Sequence, residues 1–423
     1  MSEKANENVN YVQKQKYIIN STHIGITAYD KIFNEEKQKN YFMKKIIGYI
    51  SAQDPFTDRR AWSGTIYKIR EAIEVSGYEV RWIPYKENSW REILVKILCK
   101  LYSVVSSKNI MLGVHSEYIA RLYAKSIRKD RYFEECDYLF FSGGAQIALY
   151  MSTDKPIIYY TDATFHIMED YYFCNLLENA KIKSERLEEL ATNKASINIR
   201  SSQWAADSVV RDCHANPQTS YVLEFGPNLD LKDLHPCLPY NNGVLNILFS
   251  GVEWKRKGGD IAVNTVEYLN LRGIKSHIYI AGIEKLPKHY RNLPFVTHVG
   301  FLNKNLPQQY QQYIELWQTC HILLLPTRAE CSGIVFCEAS AFGIPVYTYD
   351  TGGIGNYVVN GVNGHRLPLS AVAEDFAQKI EDDIRMKRIC DLHQGALKLS
   401  KERLSWECWA DKFKKIVNKH FKE

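Results

Sequence analysis

Several signatures are missing from this chain of 423 residues, and each absence removes a class of function. No apolar run approaches the roughly 18 residues that span a bilayer, so the chain does not read as an integral membrane protein. Its opening, MSEKANENVNYVQKQK, holds no apolar core of a signal peptide, and export by that route is not expected. None of the ten cysteines forms a CxxC pair, and they lie scattered through apolar segments. A zinc site is therefore not expected, whereas reduced core thiols and a cytoplasmic setting are. No GxGxxG follows the first strand and no GxxxxGK[ST] occurs, which argues against a nicotinamide dehydrogenase and a P-loop enzyme. Long Lys/Arg blocks are absent too. With 54 basic and 48 acidic side chains the net charge is +6, which permits an anionic ligand or a membrane surface but does not call for nucleic acid.

What is present is a soluble composition, 45% hydrophobic and 24% charged, which excludes a disordered chain, a collagen and a coiled coil. The length predicts two or three domains. Residues 1–43 read as a polar extension. From there, short apolar runs alternate with longer amphipathic stretches. Strands are predicted over 45–51, 79–85, 138–142, 156–162, 196–201 and 221–225, with helices over 64–76, 90–105 and 203–213. That alternation is the mark of a parallel sheet with crossover helices. Residues 231–243, LKDLHPCLPYNNG, break the pattern and read as a linker. The alternation restarts with strands over 244–250, 277–281, 296–300, 322–326 and 345–350 and helices over 259–271, 305–320 and 333–342. The tail from Ala371 is helical, with interruptions expected near Gly395 and Ser405. The fold class is therefore α/β, with two doubly wound domains (44–235 and 244–404) and a final helical segment (405–423). Ligands bind at the carboxyl ends of such strands, here in the cleft between the domains.

The informative loops follow strands of the second half. In Ser250-Gly251-Val252-Glu253-Trp254-Lys255-Arg256-Lys257-Gly258-Gly259 a strand ends, basic side chains follow and glycines open a helix. Helix N-terminal amides attract phosphate, and Arg256 and Lys257 add full charges. The plain alternative is a basic surface turn. In the segment from Pro326 to Pro345, Ser332 is placed as a helix cap and Gly333 lets a ligand approach the backbone. The amides of Gly333, Ile334 and Val335 then face the cleft. Glu338 lies in an otherwise apolar helix, where a carboxylate is costly without a partner. Two sugar hydroxyls would supply one; an ion pair with Arg328 is the plain alternative. Thr351-Gly352-Gly353 after a strand suits a tight loop beneath a ligand or a simple turn. Ser63-Gly64-Thr65 is a second amide-rich helix start, in the first half.

With these segments quoted in order, the chain resembles nucleotide-sugar glycosyltransferases of the GT-B fold, specifically the retaining family 4, over roughly residues 44–415. RAECSGIVFCEASAFGIPV resembles that family's E-x7-E region, GVEWKRKGGD its basic phosphate loop, TYDTGGI its glycine loop and DRRAWSGT its N-domain glycine loop. The resemblance implies two Rossmann-like domains facing across a cleft. It implies that Glu338 holds the ribose hydroxyls, that Glu330 contacts the donor sugar, and that Lys257 binds the diphosphate with the amides around Ser332, Gly333, Ile334 and Val335. Gly64 closes on the donor phosphate from the other domain, Gly251, Thr351 and Gly352 complete the donor set, and the last helix crosses back onto the first domain. Two positions depart from the family pattern. Val252 stands where many relatives have Arg, and Arg256 is the expected replacement. Asp162 stands where many have His, with His166 four residues on as the other candidate.

The implied reaction is retaining, metal-independent transfer of a sugar from a nucleoside diphosphate sugar, with no separate cofactor, to a glycan, lipid-linked or small-molecule hydroxyl. A sugar-nucleotide epimerase and a non-catalytic binding subunit are the rival readings. No DxD pair is placed to hold a metal, and Glu381-Asp382-Asp383 in the tail reads as a solvated face. The segment Trp90–Tyr102 puts Ile93, Leu94, Ile97, Leu98 and Leu101 on one helical face flanked by Arg91, Lys96 and Lys100. Such a helix lies in the inner membrane interface, as a peripheral contact, or packs into the first domain; core packing is the preferred expectation.

Overall fold

The computed structural model describes residues 44–85, 90–109 and 116–421; the expected 1–43 extension and the last two residues of the 405–423 segment lie outside the described residues. Two six-stranded parallel sheets carry the architecture. The first holds β1 (Ile46–Ser51), β2 (Glu79–Pro84), β3 (Tyr138–Ser142), β4 (Ile157–Thr161), β5 (Ile197–Arg200) and β6 (Ser220–Val222), in the order β2-β1-β3-β4-β5-β6. Its helices are α1 (Thr65–Val75), α2 (Trp90–Ser106), α3 (Glu117–Ile127), α4 (Ala145–Tyr150), α5 (Phe165–Met168), α6 (Glu178–Lys194) and α7 (Gln203–Arg211). The second holds β7 (Leu245–Ser250), β8 (Ser276–Ala281), β9 (Val296–Gly300), β10 (Ile322–Leu325), β11 (Val346–Tyr349) and β12 (Gly364–Leu367), in the order β12-β11-β10-β7-β8-β9. With it go α8 (Gly259–Leu271), α9 (Pro307–Thr319), α10 (Ile334–Phe342), α11 (Ala373–Arg385), α12 (Arg388–Glu402) and α13 (Trp406–Phe421).

Strands buried on both faces explain the continuous apolar runs: Ile322 to Leu325 are all fully buried. In the first sheet alternate residues enter two different cores, Tyr138 and Phe140 on one face, Leu139 and Phe141 on the other. The last helix covers the first of these faces. Phe413 meets Phe140 and Tyr78, and Trp409 meets Tyr160, with ring centroids 5.9 to 6.0 Å apart.

Four expectations are corrected. Gly395 does not interrupt the tail but lies inside α12, where a Cβ would sit 2.0 Å from the Val362 carbonyl oxygen, so the glycine marks close packing rather than a break. The break falls at Lys387, which has φ of 56°. The acidic run is not a solvated face: Asp383 is fully buried, accepts from Tyr347 Oη at 2.8 Å and pairs with Arg388, while Glu381 pairs with Arg272. Not every thiol is in the core, because Cys174 and Cys390 are exposed. The largest correction concerns α2. Its apolar face is turned outward, with Trp90 67%, Leu98 63% and Val105 84% exposed, and Glu92 is its one buried residue. The inner side carries both an apolar contact, Val95 on the first-domain core, and a polar pairing. Glu92 accepts from Tyr123 Oη of α3 at 2.5 Å and pairs with Lys96 at 2.7 Å, so the side of α2 that bears the carboxylate packs inward.

Candidate active site

In the second sheet the strand order reverses between β7 and β10, and the loops after these two strands meet at their carboxyl ends, where open α/β sheets bind ligands. Gly258 joins them. It has φ of 72°, and a Cβ there would lie 2.0 Å from the Pro326 carbonyl oxygen, so a side chain would force the basic turn off the end of β10. The Arg328 amide donates to the Arg256 carbonyl at 2.8 Å across the same seam.

A cavity of about 530 Å³ opens from this seam toward the first sheet. Of the residues singled out in the sequence, Lys257, Arg256, Glu330, Glu338, Gly251, Asp162, Ser332, Gly333, Ile334 and Val335 all line it. Lys257 and Glu330, each 8% exposed, form an ion pair at its floor. Glu338, 2% exposed, is satisfied on both oxygens: Tyr313 Oη donates to Oε2 at 2.7 Å and Lys304 Nζ to Oε1 at 2.6 Å. Its partner is therefore Lys304 and not Arg328, which turns away to Asp260. Arg256 reaches the cavity wall but spends its guanidinium on four protein acceptors, namely both Glu253 oxygens, Tyr172 Oη and the Ala329 carbonyl. It braces the wall, and Lys257 is the cation at the floor. Ser332 does not cap α10. Gly333 occupies that position, and the Ser332 hydroxyl bonds Ser201 Oγ of the first domain at 2.5 Å.

Three expected donor residues stand behind the cavity rather than on its surface. Thr351 Oγ1 bonds Tyr171 Oη at 2.9 Å, and Gly352 backs the Glu330 loop, with its hypothetical Cβ 2.2 Å from the Glu330 carbonyl oxygen. Gly64 is buried, and Trp62 and Ser63 line the wall in its place. Both have left-handed backbone, φ 49° and 59°. Two successive non-glycine residues held there mark a strained loop of the kind found at functional sites. Asn228 fastens it, donating to the Ser63 carbonyl and Thr65 Oγ1, both at 3.0 Å.

Asp162 and His166 separate clearly. His166 lies outside the cavity and pairs with Glu185 at 2.7 Å. Asp162 directly follows β4, on the wall shared with a second cavity of about 520 Å³, which Gln53, Asp58, Arg60 and Ser142 also line. Trp62 Nε1 donates to it at 3.2 Å. Burial pushes the Asp162 carboxyl up to about 6, against the weaker opposing pull of the Trp62 hydrogen bond. Because this value lies above that of an unfolded aspartate, the native state holds the extra proton between about pH 4 and 6. The stability it contributes is full below pH 4 and is lost as pH rises through 6. Asp162→Asn is expected to flatten this fall, by at most about 3 kcal/mol between pH 4 and 8 in urea melts; parallel wild-type and variant profiles would refute the assignment.

Sequence reasoning missed Trp62, Tyr171, Tyr172, Lys304 and Tyr313. The Glu330 amide donates to Tyr171 Oη at 2.7 Å, and Tyr172 Oη donates to the Ala329 carbonyl at 3.2 Å, so a segment of the first domain pins the Glu330 loop.

Known proteins resemble this chain in two ways. Over most of its length the likeness is structural. A sucrose-phosphate synthase from Thermosynechococcus elongatus superposes with a TM-score of 0.66 at 15% identity, covering 90% of this chain and all of that one. An Anabaena protein crystallised with UDP gives 0.59 at 14%, covering 89% and 100%. These establish the fold: two Rossmann-like domains in the GT-B arrangement. In sequence, an uncharacterised glycosyltransferase of Methanocaldococcus jannaschii is 27% identical over 170 residues, 40% of this chain and 46% of its own. A D-inositol 3-phosphate glycosyltransferase of Rhodococcus erythropolis is 32% identical over 127 residues, 29% and 26% respectively. The chain thus spans about half, or less, of the curated relatives it matches. Residues 245–385, a third of the chain and the part that carries Lys257, Glu330 and Glu338, match the family model described as glycosyl transferases group 1.

Proposed function

We propose that this protein is a glycosyltransferase that moves a sugar from a nucleoside diphosphate sugar to a hydroxyl acceptor, with retention at the anomeric carbon and without need of a metal ion. The observation that carries this reading is the convergence of Glu338, Glu330 and Lys257 on one cavity at the switch point of the second sheet. Glu338, at the inner end of that cavity, has the two acceptor oxygens that a ribose diol needs. Lys257 and the first turn of α10 supply positive charge where a diphosphate would lie. Glu330, beside Lys257, is within reach of a sugar hydroxyl.

The chemistry follows from that layout. Cleavage of the sugar–oxygen bond adds one negative charge to the departing diphosphate, on the oxygen that held the sugar. Lys257 and the α10 amides are fixed before this charge forms, so they stabilise the transition state more than the ground state. The acceptor hydroxyl attacks from the same face and passes its proton to the leaving phosphate oxygen. Asp162, on the wall shared with the second cavity, orients a hydroxyl of the donor sugar or the acceptor, and the polar lining of that second cavity suits a hydroxyl-rich acceptor.

A thermal-shift panel of UDP, GDP, ADP and their sugars, with and without EDTA, tests the reading. The Anabaena neighbour was solved with UDP and with UDP-glucose, which makes uridine donors the first to try. A ligand at a hundred times its dissociation constant adds about 2.7 kcal/mol of stability. One nucleotide is expected to shift the melt and EDTA to leave that shift unchanged. A shift lost in EDTA would overturn the metal-independent assignment, and no shift with any nucleotide would overturn the donor site itself.

A further inference from the structure

We propose that the outward face of α2 is a docking surface for an anionic lipid bilayer, a property independent of which donor the cavity takes. At about 100° per residue, Trp90, Ile93, Leu94, Ile97, Leu98 and Leu101 form one unbroken stripe, and all six are exposed. Lys96 and Lys100 border the stripe on one side and Arg91 on the other. A contiguous apolar patch of this kind on an otherwise polar surface marks an interaction site. Its composition, with Trp at one end, Leu and Ile along the middle and cations at the edges, is that of a helix lying in the headgroup region of a membrane.

Charge selects the partner. Residues 90–131 carry nine basic and three acidic side chains, so this stretch alone accounts for the whole net charge of +6 and the remainder of the chain is neutral. Lys125, Arg128 and Lys129, on and just after the helix that supports α2, are exposed. A second copy of the same surface would bring two cationic faces together, whereas an anionic bilayer neutralises them while its acyl region accepts the apolar stripe. The surface is also tied to the cleft. Past the end of α2, Asn109 donates its amide to the Asn175 carbonyl at 2.8 Å and accepts from the Leu177 amide at 2.9 Å. That same strip carries Tyr171 and Tyr172, which touch the Glu330 loop and Arg256. A bilayer holding α2 therefore lies one hydrogen-bonded strip away from the cavity wall.

Sedimentation of the full chain with vesicles tests this. Vesicles of phosphatidylcholine mixed equally with phosphatidylglycerol are expected to carry down the wild-type protein, and pure phosphatidylcholine vesicles about tenfold less. Paired substitution Leu98→Glu with Leu101→Glu is expected to lower binding to the mixed vesicles by at least about tenfold. Arg91→Glu with Lys100→Glu should do the same at low salt and have little effect at high salt. Arg91, Leu98, Lys100 and Leu101 are all exposed, so the melting temperature should stay at the wild-type value. Failure of the wild type to sediment with the mixed vesicles, or equal sedimentation of the Leu98/Leu101 variant, would overturn the proposal. So would a dimer seen by light scattering and lost in that variant, because the face would then belong to a second copy.

Discussion

Lys257→Ala is expected to fail twice, in stability and in turnover, and the two failures can be separated. The ammonium of Lys257 and the carboxylate of Glu330 are both almost wholly enclosed and paired with each other. Truncating the lysine leaves a buried carboxylate without its counter-charge, which typically costs about 3–5 kcal/mol of folding free energy. On the proposed mechanism it also removes the cation facing the departing diphosphate, and the loss of one such preorganised donor slows the chemical step by about a hundred- to a thousandfold. Lys257→Met combined with Glu330→Gln distinguishes the effects. With both charges gone the desolvation penalty goes too, so the double variant should recover most of the lost stability in a urea melt. Its turnover should stay at the level of the single variant or below. If the double variant were as unstable as Lys257→Ala, the pair would not be coupled. If it turned over donor at the wild-type rate, the diphosphate site would lie elsewhere.

The contrast between what the sequence displayed and what it hid follows from this same geometry. Lys257 and Glu338 were legible because each sits next to a strand or helix with a strong period: LNILFS leads to the first, and the second breaks a helix of small and apolar residues. Their partners were not legible. Lys304 comes from the loop after β9 and Tyr313 from α9, elements with no local reason to face Glu338. Tyr171 and Tyr172 come from an aperiodic stretch about 160 residues before the loop they pin. The acidic run of α11 was misjudged for the same cause. The spacing within one helix says nothing of Tyr347 or Arg272, which reach it from other elements. The α2 error is different. An amphipathic period states that a helix has an apolar face, but not whether that face is covered by protein. On the opposite side Glu92, held by a tyrosine of α3, and Val95, packed on the first-domain core, face inward.

Glu338→Ala is expected to weaken nucleotide binding by about a hundredfold or more, because hydrogen bonds to a charged acceptor are worth roughly 1.5–3 kcal/mol each and a ribose diol would make two. The pairing of Glu338 sharpens the prediction. Each carboxylate oxygen accepts one bond and keeps a second lone pair, but at 2% exposure the group has no open approach, so the diol binds by displacing a covering partner. Tyr313 is buried and also bonds Ser250 Oγ at 3.1 Å, which leaves Lys304, at the cavity lip, as the group that gives way. Lys304→Ala therefore has opposite consequences for the two states. The unliganded protein loses the counter-charge of a buried carboxylate and should melt at a lower temperature. The nucleotide, which restores hydrogen bonds to that carboxylate without having to evict the lysine, should produce a larger shift than in the wild type. Calorimetric titration with the nucleotide found in the thermal-shift panel would read both effects. An unchanged dissociation constant in Glu338→Ala would remove ribose from this position, and a smaller nucleotide shift in Lys304→Ala would show that the lysine binds the ligand rather than competing with it. The lysine's release also bears on the cleft as a whole. Its ammonium reaches the Asn228 carbonyl at 3.4 Å, and Asn228 fastens the strained Trp62–Ser63 turn. The adjacent Asn305 accepts from the Arg59 amide at 3.0 Å. On the proposed reading, a ribose that takes the place of Lys304 at Glu338 would free a cation that also bonds Asn228, the residue that fastens the first domain's wall of the cavity.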